Sequence, residues 1–125
     1  MFWGNQQFLG IFSVADAGTD FKVGNPLHTL EARMIRAVAT VLEPLTPDTS
    51  MSIKFKREAP DGSIQSFGTT LTIDSSVAKG QQVRKFYWIG FATLYDSDIL
   101  IVNITTSGSP TQGKVALWAS FVARR

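Results

Sequence analysis

The chain has 125 residues, 44% apolar and 18% charged, with a net charge of +2. That length suits one domain able to bury roughly two-thirds of its unfolded surface, and so small and dispersed a positive charge does not imply nucleic acid as the main partner, so none is expected. There is no cysteine and one histidine, His28, which excludes disulfides, thiolate metal sites and a multi-histidine metal site within one chain.

Residues 1–14 hold Phe2, Trp3, Phe8, Leu9, Ile11, Phe12 and Val14. Gln7 to Val14 fits a short strand. The Gly- and Gln-interrupted stretch before it is either the first strand of the subunit's own core or an arm lying on a neighbouring chain. The start has no basic n-region and no continuous apolar run, so it is a poor signal peptide. No stretch approaches the roughly 20 apolar residues that a membrane helix needs. A membrane partner is therefore not expected, and release from a cell is expected by lysis or inside an assembly.

Ala15 to Thr29 is turn-rich, punctuated by Gly18, Gly24, Asn25 and Pro26. Asp16 and Asp20 read as turn aspartates, since the acidic density is far below that of a calcium loop. His28 follows Asn-Pro-Leu and reads as a surface or capping residue. Leu30 to Glu43 fits two periods. Leu30, Met34, Ala37, Val38 and Val41 make a helical stripe, while two sets of alternating residues make a strand covered on both faces. The strand-like chain that follows favours the strand, and Pro44 to Asp48 ends either.

Ser50 to Arg57 is a clean strand, with Met51, Ile53 and Phe55 alternating against Ser52, Lys54 and Lys56. Lys54, Lys56 and Arg57 read as a solvated face. Glu58 to Gly62 carries Pro-Asp-Gly turn chemistry. Ile64 to Ile73 alternates loosely, and Asp74 to Gln82 is a polar connection. Val83 to Tyr95 reads as one long strand, with Gly90 placed for a bulge or bend. Asp96-Ser-Asp98 turns the chain into the strand Ile99 to Ile104. A Gly-, Ser-, Thr- and Pro-rich connection follows, then a last strand from Lys114 to Ala123. On that strand Val115, Leu117, Ala119 and Phe121 point one way, and Ala116, Trp118, Ser120 and Val122 the other. Apolar residues on both faces predict a central position in the sheet or a face covered by a partner.

About seven or eight short strands with turns between them and no helical crossover predict an all-β fold. The expected architecture is an antiparallel, jelly-roll-like β-sandwich over residues 15–125, with residues 1–14 as arm or first strand. No catalytic set appears. His28 has no evident nucleophile, Asp96 and Asp98 read as a turn, and no phosphate loop is present. An enzyme is not expected, nor is any metal or cofactor. Trp3, Trp88, Trp118, Tyr87 and Tyr95 could stack on sugars, but the strand-like runs around Trp88 and Trp118 favour the core or a subunit interface.

The end of the chain, Thr105-Thr-Ser-Gly-Ser-Pro-Thr-Gln-Gly-Lys-Val-Ala-Leu-Trp-Ala-Ser-Phe-Val122, resembles the ending of small proteins encoded among the structural genes of tailed bacteriophages. Those proteins close on a Thr-Gly-(Ser/Thr)-Pro-Thr-x-Gly turn and one alternating strand. Asp98 to Ile104 is similar to the strand leading into that turn, and Arg33 to Val41 resembles their early strand. Where they carry a Gly- and Asp-rich middle, this chain has the Lys54–Gly80 meander. The resemblance implies a virion component, made in the host cytoplasm: a capsid decoration (cement) protein on the capsid surface, or a related head or tail accessory piece. Its partners would be the major capsid protein or other virion subunits, and it would form a homo-oligomer. The rival reading is a carbohydrate- or receptor-binding module of a phage fibre or tail. The residues expected at a partner interface are Phe2, Trp3, Phe8 and Trp118.

Overall fold

The computed structural model describes residues 2–24, 31–86 and 93–124; for residues 2–5, 67–69, 86 and 123–124 it describes the backbone. Nine strands lie within these residues: β1 (Phe2–Ser13), β2 (Asp20–Gly24), β3 (Glu31–Glu43), β4 (Ser50–Glu58), β5 (Ile64–Asp74), β6 (Gln82–Phe86), β7 (Thr93–Tyr95), β8 (Ile99–Ser107) and β9 (Lys114–Arg124). The ambiguous Leu30–Glu43 segment is a strand from Glu31 onward. Residues 1–14 enter the same sandwich, because β1 pairs with β9 from Phe2↔Arg124 to Ser13↔Lys114.

Two corrections concern strand count. The turn-rich Ala15–Thr29 region contains β2, whose Phe21 and Val23 pack against the core at its margin. Five residues beside Gly18 and Gly24 are too few for the period to stand out. The long strand expected over Val83–Tyr95 is two pieces, β6 and β7, both on β3. Phe86 pairs with Arg36 and Thr93 with Arg33, so the two pieces are not in one continuous register. Gly90, Tyr87 and Trp88 lie outside the described residues.

Pairing is antiparallel throughout and nested. β4 pairs β5, β3 pairs β6 and β7, β2 pairs β8, and β1 pairs β9. This long hairpin is rolled so that alternate pairs fall in opposite sheets. β9 also pairs β3 and β8 also pairs β4, giving one sheet in the order β1-β9-β3-β6/β7 and a second in the order β2-β8-β4-β5. With β6 and β7 counted as halves of one strand, that is the eight-stranded jelly roll.

The core lies between the sheets. From the first sheet come Phe12, Met34, Val115, Leu117 and Phe121, with Ala37, Ala39 and Ala119 among them. Facing them are Met51, Ile53, Phe55, Leu71, Ile73, Leu100, Val102 and Ile104. Small residues on one inner face thus meet large ones on the other, which lets the layers interdigitate. Val115, Leu117, Ala119 and Phe121 are all 0–1% exposed, as their parity requires.

The loop between β8 and β9 is strapped to the one after β3. Thr46 Oγ1 accepts from the Thr111 and Gln112 amides at 3.0 and 3.2 Å, and Gln112 Nε2 donates to the Pro44 carbonyl at 3.3 Å. Gly113 closes it. Its amide donates to Glu43 Oε1 at 3.0 Å and its carbonyl accepts from the Val14 amide at 3.1 Å. A φ of 147°, and the side chains of Leu45 and Val14 standing where a Cβ would be, favour glycine there.

Candidate functional site

The two sheets present unlike faces to the outside. On the second sheet the outward positions are Asp20, Lys22, Ser52, Lys54, Lys56, Thr72 and Asn103. Ile101 on the same face is fully buried, while towards one end Ile99 and Ile64 flank Glu58 and Ile64 is 49% exposed. The register neighbours of Ile101 are Lys22 and Lys56. Lys22 pairs with Glu58 at 3.2 Å and Lys56 with Asp20 at 3.3 Å, so the lysine stems close over Ile101 while their heads stay wet. Asn103 Nδ2 also donates to Asp20 Oδ1 at 2.7 Å.

The outer face of the first sheet is built differently. Register sets Phe8, Trp118, Val38 and Arg84 side by side across β1, β9, β3 and β6. The next rung holds Ile11, Ala116, Thr40 and Gln82. A third holds Gln6, Ser120 and Arg36. Phe8 and Trp118 form a tilted ring pair with centroids 5.2 Å apart. Phe8 is nevertheless 54% exposed and Ile11 57%, while Val38 and Ala116 are buried. Polarity rises from β1 towards β6. Arg84 Nη2 donates to Gln82 Oε1 at 2.9 Å, Gln82 Nε2 to Thr40 Oγ1 at 3.3 Å, and Arg36 Nη2 to Ser120 Oγ at 3.3 Å. Arg36 Nε is buried with no hydrogen-bond partner.

Two of the four expected interface residues therefore meet, Phe8 and Trp118. Phe2 and Trp3 lie on the same strand, paired with Arg124 and Ala123, and their side chains lie outside the described residues. Trp118 is half-buried and on the face opposite Leu117 and Ala119. Ile11 is the residue that sequence reading missed. A register break between Phe8 and Gly10 puts Phe8 and Ile11 on one face despite their opposite parity. Gly10 inside the otherwise apolar run Phe8 to Phe12 is the signal for that bulge.

The other candidates fall into structural roles. Asp16 Oδ2 accepts from the Ser13 amide at 2.8 Å and caps a 3-10 turn over Val14–Asp16. Asp98 is 5% exposed; its Oδ2 accepts from Arg57 Nη1 at 3.1 Å and from the Tyr95 amide at 2.9 Å. Arg57 also lies over the Tyr95 ring, 5.1 Å from its centroid, and donates to Gln65 Oε1. Asp96 is exposed and Asp98 buried, so the two do not face one ligand together. Tyr95 pairs with Glu31 and Trp118 with Val38, seven residues further along β3. At about 3.3 Å per residue they stand roughly 20 Å apart and share no groove. His28 and Trp88 lie outside the described residues. Among the described residues no group of three or more His, Cys, Asp and Glu side chains could hold a metal ion.

No protein-family model matches the chain, and no curated protein matches it in sequence. Among solved structures it is similar to one described as "Structure of infectious bursal disease virus Gx strain", with 11% identity and a TM-score of 0.49. The match covers 98% of this chain and 31% of that one, so this chain spans about a third of that protein's length.

Proposed function

We propose that the chain is a structural component of a virus particle, of the capsid decoration type, and that it performs no catalysis. It binds the assembled shell through the outer face of its first sheet. The observation that carries the reading is the contrast between the two outer faces. On one sheet Ile101 is sealed beneath two ion-paired lysines and the exposed Ile64 stands at one end beside Glu58; on the other, Phe8, Ile11 and Trp118 stand together, with a tilted ring pair and more than half of Phe8 and Ile11 in water. An apolar cluster of that kind, rimmed by Arg36, Arg84 and Gln82, has the composition of an interface centre and its polar rim. The resemblance of residues 98–122 and 33–41 to phage structural proteins supports a virion as the setting. Jelly rolls serve in capsids as well as in lectins, an analogy of fold alone.

The mechanism is mass action. A subunit that binds only the assembled shell stabilises it by RT ln(1 + [L]/Kd), about 2.7 kcal/mol per site at a hundredfold excess over Kd. Repetition over a symmetric lattice adds avidity. The separation of Trp118 from Tyr95 and Asp98 speaks against one sugar-binding groove.

Particles purified from a lysate of the virus that encodes the chain test this reading. The chain should be found in them at a fixed copy number, and Phe8→Ser/Trp118→Ser protein should be lost from them on dilution while remaining folded in isolation. Absence from purified particles, or equal retention of the double variant, overturns the proposal.

A further inference from the structure

We infer that β1 pairs with β1 of a second copy, edge to edge about a two-fold axis, so that the first sheet runs on through the junction. Three observations converge on that strand. First, β1 is an edge along its whole length: β9 takes one side, and among the described residues no strand takes the other. It therefore offers a row of backbone donors and acceptors that another strand can satisfy.

Second, apart from the bulge between Phe8 and Gly10, this edge lacks the charges, prolines and short length that keep edges apart. Phe2–Ser13 reads Phe-Trp-Gly-Asn-Gln-Gln-Phe-Leu-Gly-Ile-Phe-Ser, with no charge and no proline over 12 residues. The remaining edges are guarded. β2 has 5 residues and carries Asp20 and Lys22 in ion pairs. β6 has 5 residues including Arg84 and Lys85, and β7 has 3. β5 is broken in register opposite Ile53–Phe55 and lies beside β6 of the other sheet.

Third, polarity falls across the sheet towards β1. A two-fold axis there joins the Phe8 and Ile11 ends of both copies at the centre and leaves Arg36, Arg84 and Gln82 at the periphery, the ordering of core and rim that interfaces show.

The same reasoning selects a second copy over a foreign strand. The partner must be a long, uncharged edge with apolar side chains on the same face. β1 meets that requirement itself, and antiparallel pairing about a two-fold makes any such strand self-complementary. No like charges meet across the axis, because β1 has none. Each copy's Phe8 and Ile11 then become cross-strand neighbours of the other's β1 side chains. The inference does not rest on the virion reading, since it concerns the isolated chain.

Sedimentation equilibrium and residue-resolved amide exchange of the full chain test it. The protein should sediment at twice 13.7 kDa, dissociating on dilution. In the concentrated sample both alternating sets of β1 amides should be protected, and in the diluted sample only the set bonded to β9. Gln6→Lys/Phe8→Lys should raise the dimer dissociation constant by about tenfold or more, because each substitution acts twice across a two-fold axis. Three results overturn the inference: a monomer throughout the soluble range, a dimer whose outward β1 amides exchange as fast as in the monomer, or a folded double variant that dimerises unchanged. A chain that dimerises through β1 yet is absent from virus particles keeps this inference and refutes the virion reading; the converse pattern does the reverse.

Discussion

Phe121 is the side chain through which the sandwich reads its own packing. It sits on the inner face of β9, the strand held between β1 and β3, with Met34 and Asn5 as its register neighbours. It is 0% exposed, and Met34 beside it is 1% exposed. Phe121→Ala removes a ring that the opposite sheet cannot follow, because β4 and β8 are fixed by their own ladders. Loss of transfer energy and the residual cavity together cost about 3–5 kcal/mol. Against a domain stability of about 5–15 kcal/mol this removes a large share of the total. With a urea m-value of about 2 kcal/mol per molar, the denaturation midpoint should fall by roughly 2 M. Urea unfolding followed by circular dichroism and tryptophan emission measures both midpoint and slope. A loss below about 1 kcal/mol at unchanged m would mean that the site collapses freely, and would refute a close-packed contact between the sheets.

Gly113→Ala should destabilise the fold by about 1–3 kcal/mol in the same assay, from a Cβ forced against Leu45 and Val14 and a φ of 147°. Gly62→Ala, at a φ of 88° with no atom within 4 Å of the added Cβ, should cost less; equal costs would discard the packing part of the argument. The carboxyls of Asp61 and Asp74 are held below the usual 3.8, chiefly by the hydroxyls of Ser63 and Ser76 and next by the backbone amides of the same residues. Groups depressed in the folded state stabilise it above the unfolded value and lose that contribution as pH falls through the folded one. Ser63→Ala/Ser76→Ala should therefore lower the melting temperature at neutral pH, and its gap from the wild type should narrow below pH about 4. A gap that stays constant from neutral pH to acid would remove those hydroxyl bonds from the account.

The parts of the fold that were legible in sequence are those where period two runs unbroken. Met51, Ile53 and Phe55 on β4 and Val115 to Phe121 on β9 alternate cleanly, and all are buried as read. Parity failed where a bulge intervened. On β3 the register shifts between Met34 and Arg36, so Ala32 and Met34 share the core face with Ala37, Ala39 and Val41. Those residues belong to opposite parities in sequence, and the broken alternation is what made a helical stripe an equal fit. The same shift at Gly10 concealed Ile11. Phe8 and Trp118 were legible as apolar residues in excess of one face, but their contact was not. They are 110 positions apart, and only the β1·β9 register brings them together.

That register has a further consequence for how fold and function are joined. In a nested hairpin the β4·β5 pair closes across the short Ala59–Ser63 turn, whereas β1·β9 closes nearly the whole chain upon itself. Non-local pairings of this kind incur their loop entropy before their contacts reward it, which makes them intrinsically slow to form. β1 is also held from one side. It has one hydrogen-bonded neighbour among the described residues, and its main deposit in the core is Phe12, with Leu9 at the margin. Local opening takes edge elements more readily than strands paired on both sides. The strand that carries Phe8 and Ile11 is thus an edge strand, with one side of its backbone unpaired within the described residues. Whatever covers its free edge or its outer face adds backbone pairing and apolar burial at that margin, and mass action passes the gain to the whole sandwich. On the inferred β1 pairing, association would complete the hydrogen bonding of that edge, which gives a physical reason for an uncharged, aromatic edge to stand where a guarded one would have kept the subunit alone.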